Sequence, residues 1–224
     1  YDTFNGGDGF DTVLGGVGDD VIRLSNFSGV NTVEMIDGGA GINMIAGTDY
    51  GNLIDLSNTT LAGIARIESG LGCDTVIGSA ASDTIIGGGG KDNLTGREGN
   101  DTYLFNAGDG ADTINNYDTT GFDTVSLGEG IGQNSVGLFR NGNNLEIGYS
   151  DHDKVSVSNF FTSADYRVDE VDLADGSYLS AADINQIIQD MAAYAVNEGI
   201  TLGSINDVRN NEQLMTLVAN GWQA

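Results

Sequence analysis

Gly87-Gly88-Gly89-Gly90-Lys91-Asp92-Asn93-Leu94-Thr95 runs directly into Gly96-Arg97-Glu98-Gly99-Asn100-Asp101-Thr102-Tyr103-Leu104. The two nonapeptides are in register and share the form G-G/x-x-G-x-D-x-U-x, with U apolar. Six Gly-rich residues make a tight turn with positive φ at little steric cost. The three that follow form a short strand whose middle, apolar side chain points inward. Each nonapeptide is then half a coil, and two of them close one turn of a flattened right-handed parallel coil. Residues 18 apart stack along one edge, about 4.8 Å from each other, so an Asp in one turn faces an Asp in the next. Two carboxylates about 5 Å apart repel by roughly 3 kcal/mol at an effective dielectric near 20. A hard divalent cation relieves that repulsion, because the turns place backbone carbonyls beside the carboxylates and Ca²⁺ accepts six to eight oxygens.

Outward from this stretch the spacing persists. Asp74, Asp83, Asp92 and Asp101 fall at intervals of nine. Asp74 with Asp92 is expected to bracket one ion on one edge, and Asp83 with Asp101 another on the opposite edge. Turn-forming aspartates account for one or two such positions but not for the unbroken interval. Upstream, Gly6-Gly7-Asp8-Gly9-Phe10-Asp11 and Gly15-Gly16-Val17-Gly18-Asp19-Asp20 match every fixed position. Asp2 and Asp20, 18 apart, are expected to share an edge. Asp11 would need a partner near Gly29, which offers no side chain. The candidate metal-holding residues are Asp2, Asp11, Asp20, Asp74, Asp83, Asp92 and Asp101, with the turn residues Gly6, Gly7, Gly9, Gly15, Gly16, Gly18, Gly70, Gly72, Gly87, Gly88, Gly89, Gly90, Gly96, Glu98 and Gly99. Asp109 and Asp112 lie 17 after Asp92 and 11 after Asp101; either could close the last site. Asp118 and Asp123 are weaker candidates.

These repeats resemble the haemolysin-type calcium-binding repeats of the RTX family, whose nonapeptide has this pattern. The resemblance implies a parallel β-roll that binds several Ca²⁺ ions in the carboxy-terminal part of a bacterial protein. It also implies that the protein is exported to the medium or cell surface by a type I secretion transporter, without a cleaved amino-terminal signal. Tyr1-Asp2-Thr3-Phe4-Asn5 has the phase of the end of a repeat, as expected of a piece of a longer protein.

From Leu24 to Glu68 the metal phase fades. Asn43 stands where Asp is expected in Gly38-Gly39-Ala40-Gly41-Ile42-Asn43, and an amide keeps an oxygen without the charge. Residues 24–68 read as metal-poor parallel coils closed by apolar packing, with a helix over 61–67 as the alternative. The β-roll is expected to span residues 1–116. Over 117–179 the pattern turns to antiparallel β: Val136, Leu138, Leu145, Ile147 and Tyr149 flank Arg140-Asn141-Gly142-Asn143-Asn144, and Asn-Gly is a hairpin signal. This stretch resembles the haemolysin-type calcium-binding-related domain, and physically it would cover the open end of the roll. Residues 180–224 are helical: Ser180 caps a helix carrying Ile184, Ile187, Ile188, Met191 and Ala195, and Gly199 ends it. Further helices follow Ser204 and carry Leu214, Leu217 and Val218. This segment reads as a helical cap, and the resemblance adds the export signal. The fold class is therefore all-β, a parallel β-roll or β-helix of stacked half-coils with an antiparallel β cap and C-terminal helices.

Composition narrows function. Eight Lys and Arg stand against 33 Asp and Glu, for a net charge of -25. Such a chain repels nucleic acid and anionic membranes and attracts cations. Gly is abundant at 35 residues and Pro is absent. Cys73 is alone, so no intrachain disulfide forms. His152, the single histidine, reads as a turn residue. The basic residues Arg23, Arg66, Lys91, Arg97, Arg140, Lys154, Arg167 and Arg209 are scattered, which argues against an enzyme gripping an acidic polysaccharide. The expected function is a non-catalytic calcium-binding module with no small-molecule substrate, unfolded at low calcium and folded once calcium binds. The alternative is an adhesive or surface-layer module that calcium stiffens or self-associates.

Overall fold

Three-residue strands send their middle residue inward, and the glycine-rich turns between them let the chain wind instead of folding back on itself. The computed structural model describes residues 4, 6–29 and 32–224; Asp2 lies outside the described residues. The first three coils are three-sided. They are β1 (Thr12–Leu14), β2 (Val21–Arg23) and β3 (Asn26–Phe27); β4 (Met35–Asp37), β5 (Asn43–Thr48) and β6 (Leu53–Asp55); and β7 (Thr60–Ala62), β8 (Ile64–Gly72) and β9 (Thr75–Ile77). The next coils are two-sided. One holds β10 (Thr84–Ile86), the two-residue β11 (Gly89–Gly90) in its turn, and β12 (Asn93–Thr95); the following one holds β13 (Thr102–Phe105) and β14 (Ala111–Ile114). A last coil runs from β15 (Thr124–Leu127) through a hairpin, β16 (Gly137–Asn141) and β17 (Asn144–Gly148), to β18 (Lys154–Val157). β19 (Glu170–Leu173) follows, with β20 (Tyr178–Ser180) antiparallel beside it.

Stacking produces a short sheet, β1-β4-β7, and two long ones. One long sheet runs β2-β5-β8-β10-β13-β15-β19-β20, the other β3-β6-β9-β12-β14-β18-β17-β16. Two apolar ladders line the interior. Ile22, Ile45, Ile67, Ile85, Tyr103, Val125 and Val171 pair in series along the first long sheet. Phe27, Ile54, Val76, Leu94, Ile114 and Val157 do so along the second. All are buried, and each rung removes a whole side chain from water, worth about 1.5–3 kcal/mol. The coils over 24–68 are held this way, and β7 and β8 occupy the stretch where a helix was the alternative.

The 18-residue period holds only in two-sided coils, where Thr75 lies beside Asn93 and Thr84 beside Thr102. In three-sided coils the extra strand lengthens the repeat, so Thr12 pairs with Met35 and Met35 with Thr60. This corrects the expected partner of Asp11: residue Glu34, not Gly29, is stacked against it, and Asp20 faces Asn43. The switch to antiparallel pairing also differs from the expected boundary at 116. β15, β18 and β19 continue the parallel stack, and the β16–β17 hairpin is inserted within it; the hairpin was legible from Asn141-Gly142, but Asn141 pairs with Asn144 and the turn is Gly142-Asn143.

The helices dock on this end. α1 (Ala181–Glu198) is capped by Ser180, whose hydroxyl accepts from Asp183 N at 3.2 Å while Asp183 Oδ2 accepts from Ser180 N at 3.0 Å. Gly199 closes it at φ 66°. α2 (Ile205–Arg209) and α3 (Glu212–Ala219) bury Ile205, Val208, Leu214 and Val218. No helix among the described residues is long and apolar enough to cross a membrane.

Candidate metal centres in the turns

Most repeat turns use glycine for two separate reasons, the repeat at 78–86, whose Ser79 and Ala81 lack positive φ, being without the first. At the second and fourth positions the backbone has positive φ, as at Gly88 (81°) and Gly90 (150°). Arg97 occupies the second position of its repeat at φ 82°, an uncommon conformation for a side-chain-bearing residue. At the first position the demand is for space: a methyl on Gly87 would lie 2.5 Å from Asp92 Oδ2, and one on Gly78 would lie 2.7 Å from Asp83 Oδ2. Every such Asp therefore leans back over the first glycine of its own turn.

The other carboxylate oxygen clips adjacent turns together. Asp92 Oδ1 accepts from Asp74 N at 2.9 Å, and Asp112 Oδ1 from Asp92 N at 2.9 Å. On the opposite edge Asp101 Oδ1 accepts from Asp83 N at 2.8 Å, Asp123 Oδ1 from Asp101 N at 2.9 Å, and Asp169 Oδ2 from Asp123 N at 2.9 Å. The structure thus brings Asp74 and Asp92 together on one edge and Asp83 and Asp101 on the other. Asp112, rather than Asp109, continues the first column; Asp109 Oδ2 closes its own turn on Asn106 N at 2.6 Å. The side chain of Glu98 faces outward and pairs with Arg97 at 3.4 Å.

What remains is a set of orphans. Oδ2 of Asp11, Asp20, Asp74, Asp92, Asp101 and Asp112 is buried with no hydrogen-bond partner. Buried acceptors normally have donors, and a carboxylate oxygen without one is costly. Burial, reinforced by neighbouring carboxylates, pushes Asp92 up to about 6, Asp112 to about 7 and Asp101 to about 8. Burial also raises Asp83, Asp109 and Asp123. Among the described residues no three acidic, His or Cys side chains converge on one point. A cation here must therefore be held by one or two carboxylates and main-chain oxygens. The cradles fit that description: a methyl on Gly6 would sit 2.8 Å from Asp11 Oδ2 and 2.9 Å from Thr32 O, and one on Gly15 would meet both Asp20 Oδ2 and Gly38 O. All-oxygen donors of this kind suit a hard divalent ion.

Other turns are complete without an ion. Asn43 Oδ1 takes the place of the facing carboxylate for Asp20 N at 2.8 Å, while its amide donates to Gly63 O at 2.9 Å. The Asn52 amide donates to Ser69 O at 3.2 Å, to Asp74 Oδ1 at 2.9 Å and to Tyr50 O. In each case an NH₂ group gathers oxygens that a cation would otherwise gather. Ser79, where a repeat glycine is expected, donates its N–H and hydroxyl to Asp83 Oδ2 at 2.7 and 3.0 Å. Burial pushes Asp153 up, but the Ser150 hydroxyl and the amides of Gly108 and Gly110 outweigh it and hold the carboxyl below its usual value. Asp153 and Asp169 carry no metal assignment in the sequence reading, and Asp123 only a weak one. A shorter signal marks them: an Asp two residues before an inward apolar residue, as in Asp74-Thr75-Val76, Asp123-Thr124-Val125, Asp153-Lys154-Val155 and Asp169-Glu170-Val171.

Residues 2–30 and 69–103 match the family described as RTX calcium-binding nonapeptide repeat (4 copies), and residues 144–183 match the haemolysin-type calcium binding protein related domain. Residues 2–30 and 69–103 accordingly read as RTX calcium-binding repeats, and repeats of this family bind several Ca²⁺ ions. The chain is 33% identical over 118 residues to the iron-regulated protein FrpA of Neisseria meningitidis serogroup C, an alignment covering 47% of this chain and 11% of that protein. The matched part of the chain thus spans about a tenth of the length of that relative.

Proposed function

We propose that this chain is a non-catalytic, calcium-gated folding module of a larger bacterial protein exported by type I secretion. The observation that carries the reading is the row of buried, unpartnered Oδ2 atoms on Asp11, Asp20, Asp74, Asp92, Asp101 and Asp112. These atoms, with the carbonyls of the glycine-rich turns, would hold Ca²⁺. When bound, the ion supplies the positive charge that lets facing carboxylates stay ionised out of water. Where calcium is scarce the carboxylates repel, and ordering so many glycines is unfavourable; the chain stays unfolded and fit for transport. Outside the cell, binding free energy becomes folding free energy, in a concentration range that extracellular modules commonly use, about 10⁻⁴–10⁻³ M. Residues 180–224 serve first as the segment met by the transporter and afterwards as the docked cap. Activity and targets belong to the rest of the protein.

Calcium titration followed by far-ultraviolet circular dichroism tests this. A cooperative gain of β signal in calcium and not in magnesium is expected, with the folded species monomeric in sedimentation. Full β structure in chelator would overturn gating, and calcium-dependent self-association would favour the adhesive reading instead.

The amide-filled turns add a sharper expectation. Asn52→Asp replaces donors by a second carboxylate facing Asp74, so the variant should bind one more ion than the native chain and be less stable than it in chelator. Equal ion counts by equilibrium dialysis would rule out the amide as a stand-in for the cation.

A further inference from the structure

The column of stacked turns continues past the last nonapeptide. Asp123 sits one turn beyond Asp101 and is fully used, its Oδ1 accepting from Asp101 N and its Oδ2 from the Asn116 amide at 2.7 Å. Asp118, five residues earlier, is not. It is 9% exposed, its Oδ1 accepts from Thr120 N at 2.9 Å and from the Thr120 hydroxyl at 3.3 Å, and its Oδ2 is buried without any partner. Its charge is one of those that, after burial, raise Asp101 and Asp123.

The orphan oxygen points at a defined space. A methyl on Gly121 would overlap both Asp118 Oδ2 and Gly99 O, the carbonyl of the turn that ends at Asp101. Gly121 does not have the positive φ that demands glycine, so space rather than backbone conformation requires it. The same two-oxygen cradle occurs at Gly6 and Gly15. There the glycine precedes its Asp by five residues and the carbonyl comes from the following turn. At Gly121 the Asp comes three residues before the glycine and the carbonyl belongs to the preceding turn, an arrangement outside the nonapeptide pattern, with Asp118 and Gly121 both beyond residues 69–103.

We propose that Asp118 Oδ2 and Gly99 O form a further site for a calcium-sized hard cation, one turn beyond the recognised repeats. The proposal rests on the reading that the repeat turns themselves take calcium. Its consequence is mechanical. Asp118 N donates to Asp165 O at 2.9 Å, and the Tyr117 ring lies 5.1 Å from that of Tyr166. An ion at Asp118 therefore ties the repeat turns to the cap segment Ala164–Tyr166.

The test is the number of calcium ions bound to the whole chain, by equilibrium dialysis at about 1 mM free calcium, the weak end of the range for extracellular modules. Asp118→Asn and Gly121→Ala should each bind one ion fewer than the native chain. Asp118→Asn is the safer variant, since an amide can donate to Gly99 O as the Asn43 amide does to Gly63 O, and circular dichroism in calcium checks that it folds. If the native chain binds several ions and Asp118→Asn binds as many with unchanged affinity, this site is refuted while the repeat sites stand. If the native chain binds none, the broader reading falls and this one with it.

Discussion

Asp101→Ala is expected to raise the calcium midpoint for folding at least about tenfold and to cost about 3–5 kcal/mol of stability in saturating calcium, the range seen when one member of a buried charged pair is removed. Asp101 is fully buried at the centre of its column. Alanine removes the acceptor of Asp83 N, and an unsatisfied buried amide costs about 1–3 kcal/mol by itself; it also removes a carboxylate between two turns. Asp101→Asn should behave differently. The amide oxygen can still accept from Asp83 N, and the buried orphan charge is gone, so this variant should be more stable than the native chain in chelator yet gain less from calcium. Calcium titration followed by circular dichroism, with urea unfolding in saturating calcium, reads both effects. Identical midpoints for all three proteins would remove Asp101 from the metal-holding set.

The second large effect concerns pH in the absence of calcium. Asp92, Asp112 and Asp101 have folded-state values of about 6, 7 and 8, all above the unfolded value near 4. Folding therefore takes up protons in this window. A raised folded pKa gives stability that is fully present below the unfolded value and lost as pH climbs through the folded one. In chelator the fraction of β structure seen by circular dichroism should be markedly higher at about pH 5 than at about pH 8. Calcium competes with those protons, so in saturating calcium the trend should reverse over the same window. Below about pH 4 the carboxyls held low, Asp153, Asp175 and Asp207, begin to protonate and oppose the gain. A β signal in chelator that does not fall between pH 5 and 8 would count against buried unpaired carboxylates as the source of the instability.

Much of this was legible in the residues because one period served two purposes. The interval of nine from Asp74 to Asp101 sets both the strand register and the stacking of carboxylates, so fold and site were read together. It failed where the coil gained a third side. A third strand, such as β3 separated from β2 by Leu24-Ser25 alone, adds residues without adding a glycine-rich turn of its own, so the partners Glu34 and Asn43 stand at spacings no nonapeptide template anticipates. The continuation through Asp123, Asp153 and Asp169 was hidden by insertions in the turns, which leave strand spacing intact in space while breaking it in sequence. Ser79 stands at a glycine position of its repeat, where no charge or spacing marks it, and its hydroxyl changes what Asp83 needs.

The clips between turns all point the same way. The amide of the earlier Asp reaches the carboxylate of the later one, from Asp74 to Asp92 to Asp112 and from Asp83 to Asp101 to Asp123 to Asp169. Each turn is thus finished by its successor and offers its predecessor a ready acceptor. The columns have a sense, like a ladder whose rungs can be hung only from the rung below, and the lowest rungs, Asp153 and Asp169, are already fixed in the capping region. The cap thus closes both columns and shares the register of everything stacked above it.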